Sequence, residues 1–274
     1  MSALPGAILF MKPILVSLFR SVFALFLIVS VAACATRPPE SDPEALAAYE
    51  EANDPYEPFN RAMWKVNSAL DTVILQPITW VYRTIVPDPF RQAVTNIYAN
   101  AKMPLVIVNS LLQGEPGRAG IATKRFLANT VLGIGGIADP ATAFGIDNVD
   151  EDFGQTLAVW GVGDGPYLVL PIIGPTNPRD TVGFIGDTLS EPVGLGLDIA
   201  DKKWTKRGWT AGGVIEARDR NWGIIKELMK ADDPYAFARS AFRQRRKYEI
   251  SNGKTEQSQE EEDLFEQDFG DFPQ

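Results

Sequence analysis

After residue 34 this chain contains no uninterrupted apolar run near the roughly 18 residues that a single membrane-crossing helix needs. Its apolar residues arrive instead in short, helix-spaced groups, each opened by proline or closed by glycine; 23 Gly and 20 Pro are spread through 274 residues. Such punctuation restricts the fold to many short helices packed on one another. Phe59, Met63, Val66, Leu70 and Val73 recur at helical spacing, with Asn60, Lys65, Asn67 and Asp71 elsewhere on the wheel. Asp88-Pro89 supplies an N-cap and a proline at the first helical position, before a face marked by Phe90, Val94, Ile97 and Ala101. Pro104 opens a further run that Gly114 closes, and 117–132, 180–190, 210–230 and 233–248 complete the expected helices.

Two segments resist a helix. Gly133-Ile134-Gly135-Gly136 is too flexible for a helix interior. Between Gln155 and Pro171, Gly161, Gly163 and Gly165 separate the apolar stretches Leu157–Trp160 and Tyr167–Leu170, a pattern suited to a glycine-turned hairpin or a pair of bent strands. The fold class expected is therefore mainly α, with at most a short hairpin near Gly161–Gly165.

The only cysteine is Cys34, in Val31-Ala32-Ala33-Cys34, behind an apolar segment with Lys12 and Arg20 on its N-terminal side. This is the pattern of a bacterial lipoprotein signal: the leader 1–33 is cut off, Cys34 carries diacylglyceryl on its sulfur, and the new N-terminus is acylated. The alternative, a transmembrane helix over 14–33, suffers from an apolar core, Val22–Val31, that is too short to span. Met11-Lys12 offers a second possible start. Several acyl chains, at about 0.8 kcal/mol per buried methylene, anchor firmly. Ala35 follows the cysteine where an Asp would favour inner-membrane retention, which points to an outer-membrane address.

The mature chain then divides into a lipidated, proline-rich tether (34–54), a folded body (55–250) and an acidic, disordered tail (251–274) centred on Glu260–Asp263. Phe265, Phe269 and Phe272 in that tail leave a docking role open beside a merely solvated one. Lys plus Arg number 26 against 35 Asp plus Glu, which argues against nucleic acid. One cysteine permits no internal disulfide or thiolate metal site, and no histidine exists. Histidine-dependent hydrolysis, histidine base catalysis and His-ligated zinc are thereby excluded, and no cofactor or metal is expected. Trp64, Trp80, Tyr82 and Trp160 suit either an ordinary core or a lipid headgroup boundary.

Several blocks are not anonymous. Asn53-Asp54-Pro55-Tyr56-Glu57-Pro58-Phe59-Asn60-Arg61 resembles the opening signature of the MlaA/VacJ family of outer-membrane lipoproteins. Val86-Pro87, Asn96, Pro104, Asn109–Gly114, Arg125–Thr130, Asp152–Leu157, Gly161–Tyr167, Leu170-Pro171 and Arg179-Asp180 follow in family order. The resemblance covers about residues 53–193 and thins beyond Val193 to Lys203-Trp204, Arg218 and Asp232–Tyr235. It implies a single ring- or disc-shaped bundle of short amphipathic helices with a polar central channel, lying in the outer membrane beside a trimeric porin. It further implies a non-enzymatic role: phospholipid that has strayed into the outer leaflet passes to a periplasmic lipid-binding carrier protein. Phe59 and Asn60 match the family's channel-gating region; Gly161, Gly163 and Gly165 match its flexible pore loop. Pro58 departs from the family pattern at the entry to that helix. Two other classes stay open on the residues: an outer-membrane scaffold without lipid movement, and a hydrolase or acyltransferase using Asp152, Asp164 or Asp180.

Overall fold

The computed structural model describes residues 52–254 throughout, preceded by isolated positions between 38 and 49. Cys34, the leader, most of the tether and the acidic tail from 255 lie outside the described residues. The chain is mainly helical, as expected, with one two-stranded antiparallel sheet.

Helix α1 (Glu57–Leu70) runs through a π-helical turn (Asp71–Leu75) directly into α2 (Gln76–Ile85). Pro77 explains the interruption: it has no N–H to donate and its ring collides with the carbonyl four residues back. The Gln76 amide reaches five residues back to Asp71 O, and the helix continues in a new register.

Helix α3 (Asp88–Leu112) holds 25 residues and carries Pro104 inside it, so the break expected there is absent. Asp88 is its first residue rather than its cap, and the carboxylate turns to Arg91 instead. Gly114, at φ 77°, ends the helix, with Glu115 N bonded to Ser110 O at 2.9 Å, and sends the chain back as α4 (Pro116–Val131). The two pack around Met103, Val106, Ala122 and Val149. The glycine segment after α4 is a turn, leading to the single helical turn α5 (Pro140–Ala143).

Leu157–Val159, expected as extended chain, belongs to helix α6 (Phe153–Val159), because the Asp152 carboxylate accepts from Gln155 N and starts it. The hairpin accordingly lies a few residues further on: β1 (Leu168–Leu170) pairs with β2 (Gly174–Thr176), and the turn is Pro171–Ile173 rather than the glycine loop. Helices α7 (Pro178–Ser190), α8 (Pro192–Ile199), α9 (Lys203–Arg220), α10 (Trp222–Leu228) and α11 (Pro234–Ile250) complete the body. The single helix expected over 210–230 is split at Asn221, whose side chain takes the Ala217 carbonyl at 2.8 Å.

Helices α6 and α7 meet backbone to backbone. A Cβ on Gly183 would land on the amide of Gly154, and one on Gly186 against the Phe153 ring. Gly183→Ala is therefore expected to destabilise by about 1–3 kcal/mol through overpacking. Gly120→Ala, where nothing lies within 4 Å, should be neutral or stabilising by up to about 1 kcal/mol. Thermal unfolding of the two variants checks the contrast.

Candidate functional site: a polar interior beneath an apolar surface

The partition of side chains is the reverse of that in a water-soluble core. Among the described residues, seventeen polar or charged side chains are buried against eleven apolar ones, while thirty-five large apolar side chains are exposed. Exposed apolar residues are normal singly, but here they form continuous stripes. Along α1, the π turn and α2, Val66, Leu70, Val73, Ile78, Val81 and Ile85 keep helical spacing and are all exposed. Asn60, Asn67, Asp71 and Thr79 occupy the inward side. Val182, Ile185 and Leu189 are exposed on α7, and Leu127 and Val131 on α4.

Inward polar groups find partners within the chain. Asn60, fully buried, donates to Tyr167 O at 3.0 Å and accepts from Val169 N at 2.9 Å. Two helical turns later Asn67 repeats the grip, donating to Leu170 O at 2.9 Å and accepting from Ile172 N at 2.8 Å. The two amides act as a surrogate strand along the free edge of β1. Asn60 also donates to Asp54 at 2.7 Å, and Asp54 accepts from the Tyr235 hydroxyl and from Arg239 at 2.8 Å. Arg61 clamps Asp233 through two bonds of 2.7 and 3.1 Å and stacks 4.4 Å above the Tyr235 ring.

A second network joins α6, α7 and α11. Arg246 donates to Asp152 at 2.6 and 2.7 Å and to Asp180 at 2.9 Å twice, bridging carboxylates at the starts of two helices. Gly154 is small because a Cβ there would strike this guanidinium. Burial pushes the Asp152 carboxyl up, but the hydrogen bonds and charge of Arg246 outweigh it and hold the carboxyl down at about 2. Elsewhere, Glu151 is fully buried and takes Arg118 at 2.6 Å and Gln113 at 3.0 Å.

The third network lies where α2, the start of α3 and the end of α9 converge. Asp219 bridges Arg83 and Arg91, and Asp71 in the π turn takes Arg218 at 2.6 and 3.0 Å. Burial first, then the Asp219 charge, pushes the Tyr82 hydroxyl up. Five buried polar atoms here have no hydrogen-bond partner among the described residues: Thr79 Oγ1, Tyr82 OH, Arg91 Nε, Glu216 Oε1 and Arg218 Nη1. Glu216 forms an ion pair with Arg220, at 3.6 Å.

The residues singled out by sequence fall as follows. Cys34 lies outside the described residues. Phe59 is buried, 7% exposed, beside Asn60. Gly161 and Gly165 adopt φ of 88° and 70°, and Gly163 stands in open space. The Asn53 side chain donates to Gly165 O at 2.7 Å, tying that loop to the start of α1. Trp80 and Trp160 are exposed, whereas Trp64 packs edge-on against Tyr235. Of the carboxylates considered for catalysis, Asp152 and Asp180 are committed to Arg246 and Asp164 is exposed. Arg246, Asn67 and the α2–α9 junction were not singled out; a lone basic residue in Arg243-Gln244-Arg245-Arg246-Lys247 carries no mark of which one turns inward.

Apolar helices outside and ionic and amide networks inside define a class: helical proteins with an inverted partition of side chains and, among the described residues, no helix long and apolar enough to cross a membrane. The chain belongs to the MlaA lipoprotein family, whose model matches residues 52–249. It is 35% identical over 218 residues to the intermembrane phospholipid transport system lipoprotein MlaA of Haemophilus influenzae, covering 77% of this chain and 84% of that protein. The Escherichia coli protein of the same name is 36% identical over 215 residues, with 73% and 79% covered. A solved structure described as "Structural basis for maintenance of bacterial outer membrane lipid asymmetry" superposes with a TM-score of 0.62 at 35% identity, over 72% of this chain and 98% of that one.

Arg246→Met would leave Asp152 without its ion-pair partner and Asp180 with Arg179 alone, and is expected to cost about 1–3 kcal/mol. Asp152, ordinarily titrating at 3.8, is held at about 2 in the fold. Its stabilising contribution is thus complete above pH 4 and disappears as the pH falls toward 2. Thermal melts between pH 5 and pH 2 should show a steep loss of stability, and Asp152→Asn should flatten it.

Proposed function

We propose that this chain is a non-enzymatic lipid conduit of the outer membrane. Lipidated at Cys34 and held in the periplasmic leaflet, it removes phospholipid from the outer leaflet and hands it to a soluble periplasmic carrier for return to the inner membrane, so maintaining lipid asymmetry. The carrying observation is the inverted partition: stripes such as Val66–Ile85 face outward while arginine, aspartate and asparagine fill the interior. The relatives' names and the family assignment support the same reading.

The physical requirement is specific. A charged headgroup cannot cross hydrocarbon cheaply, because burying it without partners costs several kcal/mol. A ring of helices with a polar lumen gives the headgroup a wet path while acyl chains remain in apolar surroundings. The unpartnered Thr79, Tyr82, Arg91, Glu216 and Arg218 atoms supply hydrogen bonds of the kind a headgroup or its water would use. Gly161 and Gly163, in open space, give a loop able to shift beside such a lumen while Asn53 holds its end at Gly165, and Phe59-Asn60 set the angle at which α1 meets β1. A trimeric porin serves as the neighbour that holds the body in place.

Removing Phe59 and Asn60 rotates the rest of α1 by about 200° relative to β1 and separates Asn67 from its backbone partners. Outer-leaflet lipid balance should fail; unchanged detergent sensitivity of the cells would count against the role. A second test leaves the interior intact. Val73→Asp with Ile78→Asp places two charges in the outward stripe, at about 2.5–3.5 kcal/mol each if that stripe sits at depth in hydrocarbon. Headgroup labelling of intact cells with a membrane-impermeant amine reagent should then rise toward the level of cells lacking the protein. No rise, with a porin absent and no phospholipid retained after gentle purification, would favour a scaffold; turnover of labelled phospholipid by pure protein would favour an enzyme.

A further inference from the structure

Among the described residues, five other than glycine adopt a left-handed backbone. Asn53, Asp201 and Asn252 belong to the types that tolerate it; the other two are isoleucines, Ile134 at φ 54° and Ile172 at φ 71°. A β-branched residue is among the worst choices for this conformation, and glycine or asparagine would serve in water. Both isoleucines also stand at turn tips, 75% and 86% exposed. Each therefore carries a backbone cost in any surroundings and, in water, the further cost of an exposed apolar side chain.

The turns around them share two further properties. Neither carries a charge: the first reads Val-Leu-Gly-Ile-Gly-Gly-Ile-Ala over 131–138, the second Pro-Ile-Ile-Gly-Pro over 171–175. Val131, Leu132 and Ile137 in the first, and Ile173 in the second, are exposed as well. Most of the backbone donors are already satisfied within the protein. In the first turn Leu132 and Gly133 donate to Ala128 O, Gly135 to Thr130 O, Gly136 to Asn129 O and Ala138 to Gly133 O. In the second, two of the five residues are prolines without an N–H, and the Ile172 amide is capped by Asn67 Oδ1 at 2.8 Å. A turn in water needs no such internal capping, whereas hydrocarbon requires it.

We infer that the turns 131–137 and 171–175 are immersed in phospholipid acyl chains, two wedges that set how deeply the body sits in its leaflet. The inference rests on the proposed lipid-embedded body and adds the depth of two particular turns. Aqueous protein partners would be served equally by uncapped backbone and by glycine at the strained positions. Hydrocarbon rewards isoleucine at the tip and internal capping of most donors together.

The test uses the full-length protein in phosphatidylcholine vesicles, with a nitroxide attached through Ile134→Cys or Ile172→Cys and located by peptide mass. Val73→Cys reports the helical stripe and Asp164→Cys an aqueous site. Leu132→Cys and Ile173→Cys replace the first pair if substitution at the left-handed positions disturbs the fold, as judged by circular dichroism. Collision with dissolved oxygen should exceed collision with a water-soluble nickel chelate severalfold at both turns, matching residue 73 and opposite to residue 164. Nickel-dominated collisions at the turns, with oxygen dominating at residue 73, would overturn the wedges and leave the embedded body standing. Nickel dominance at residue 73 as well would overturn the body and the wedges with it.

Discussion

One guanidinium, that of Arg246, fixes the relation between three helices. It neutralises the carboxylates that start α6 and sit in the first turn of α7, and α11 supplies it from the far end of the chain. Carboxylates at helix starts are favourable in themselves, because they meet the partial positive charge of the helix N-terminus. Two of them brought together repel. The arginine converts that repulsion into a clamp, and the glycine contacts of α6 with α7 follow, since only Gly154 leaves room for the guanidinium. The same device recurs with Asp219 between Arg83 and Arg91, and with Asp54 between Tyr235 and Arg239. Buried ion pairs add little net stability over an apolar core but are costly to break, so they fix which helices are neighbours more than how stable the body is.

Much of the helical punctuation was legible. Gly114 ends a helix, Gly133–Gly136 form a turn, and Asp233-Pro234 starts α11 with the Asp233 carboxylate capping Ala236 N. Pro104 misleads because proline inside a long helix is tolerated where packing on both sides holds the helix, and Asn100 and Met103 there are buried against α4 and its following turn. Residues 157–159 mislead because an apolar triplet fits strand or helix alike; the decisive signal is the capping carboxylate at Asp152, three residues before the amide it holds. Family resemblance directed attention to Phe59 and Asn60, yet the grip of Asn60 on β1, and its repetition by Asn67, depends on a contact across more than a hundred residues. No local pattern encodes that.

Periodicity has a further blind spot. It shows that α1 has an apolar side and a polar side without showing which one faces inward. In water the apolar side turns in, and Val66, Leu70 and Val73 would have been read as core. Among the described residues only two small apolar clusters form, one between α3 and α4 and one where Tyr167, Val169 and Tyr235 meet Met63, Trp64 and Phe242. Both surround backbone junctions and neither absorbs the long stripe.

That distribution changes which forces hold the helices together. Where hydrocarbon lies outside, as the proposed function requires, bringing apolar surfaces into contact gains almost nothing from expelling water, and association falls to close van der Waals packing and to hydrogen bonds between helices. These are the two features concentrated here: Gly183 on Gly154 and Gly186 on Phe153 for packing, and the arginine, asparagine and carboxylate networks for polar contact. An interior assembled this way does not depend on the outer apolar stripe for its cohesion. Helix positions such as Val73 and Ile78 are consequently free to be chosen for their surroundings, and the inward positions for the polar partners they must hold.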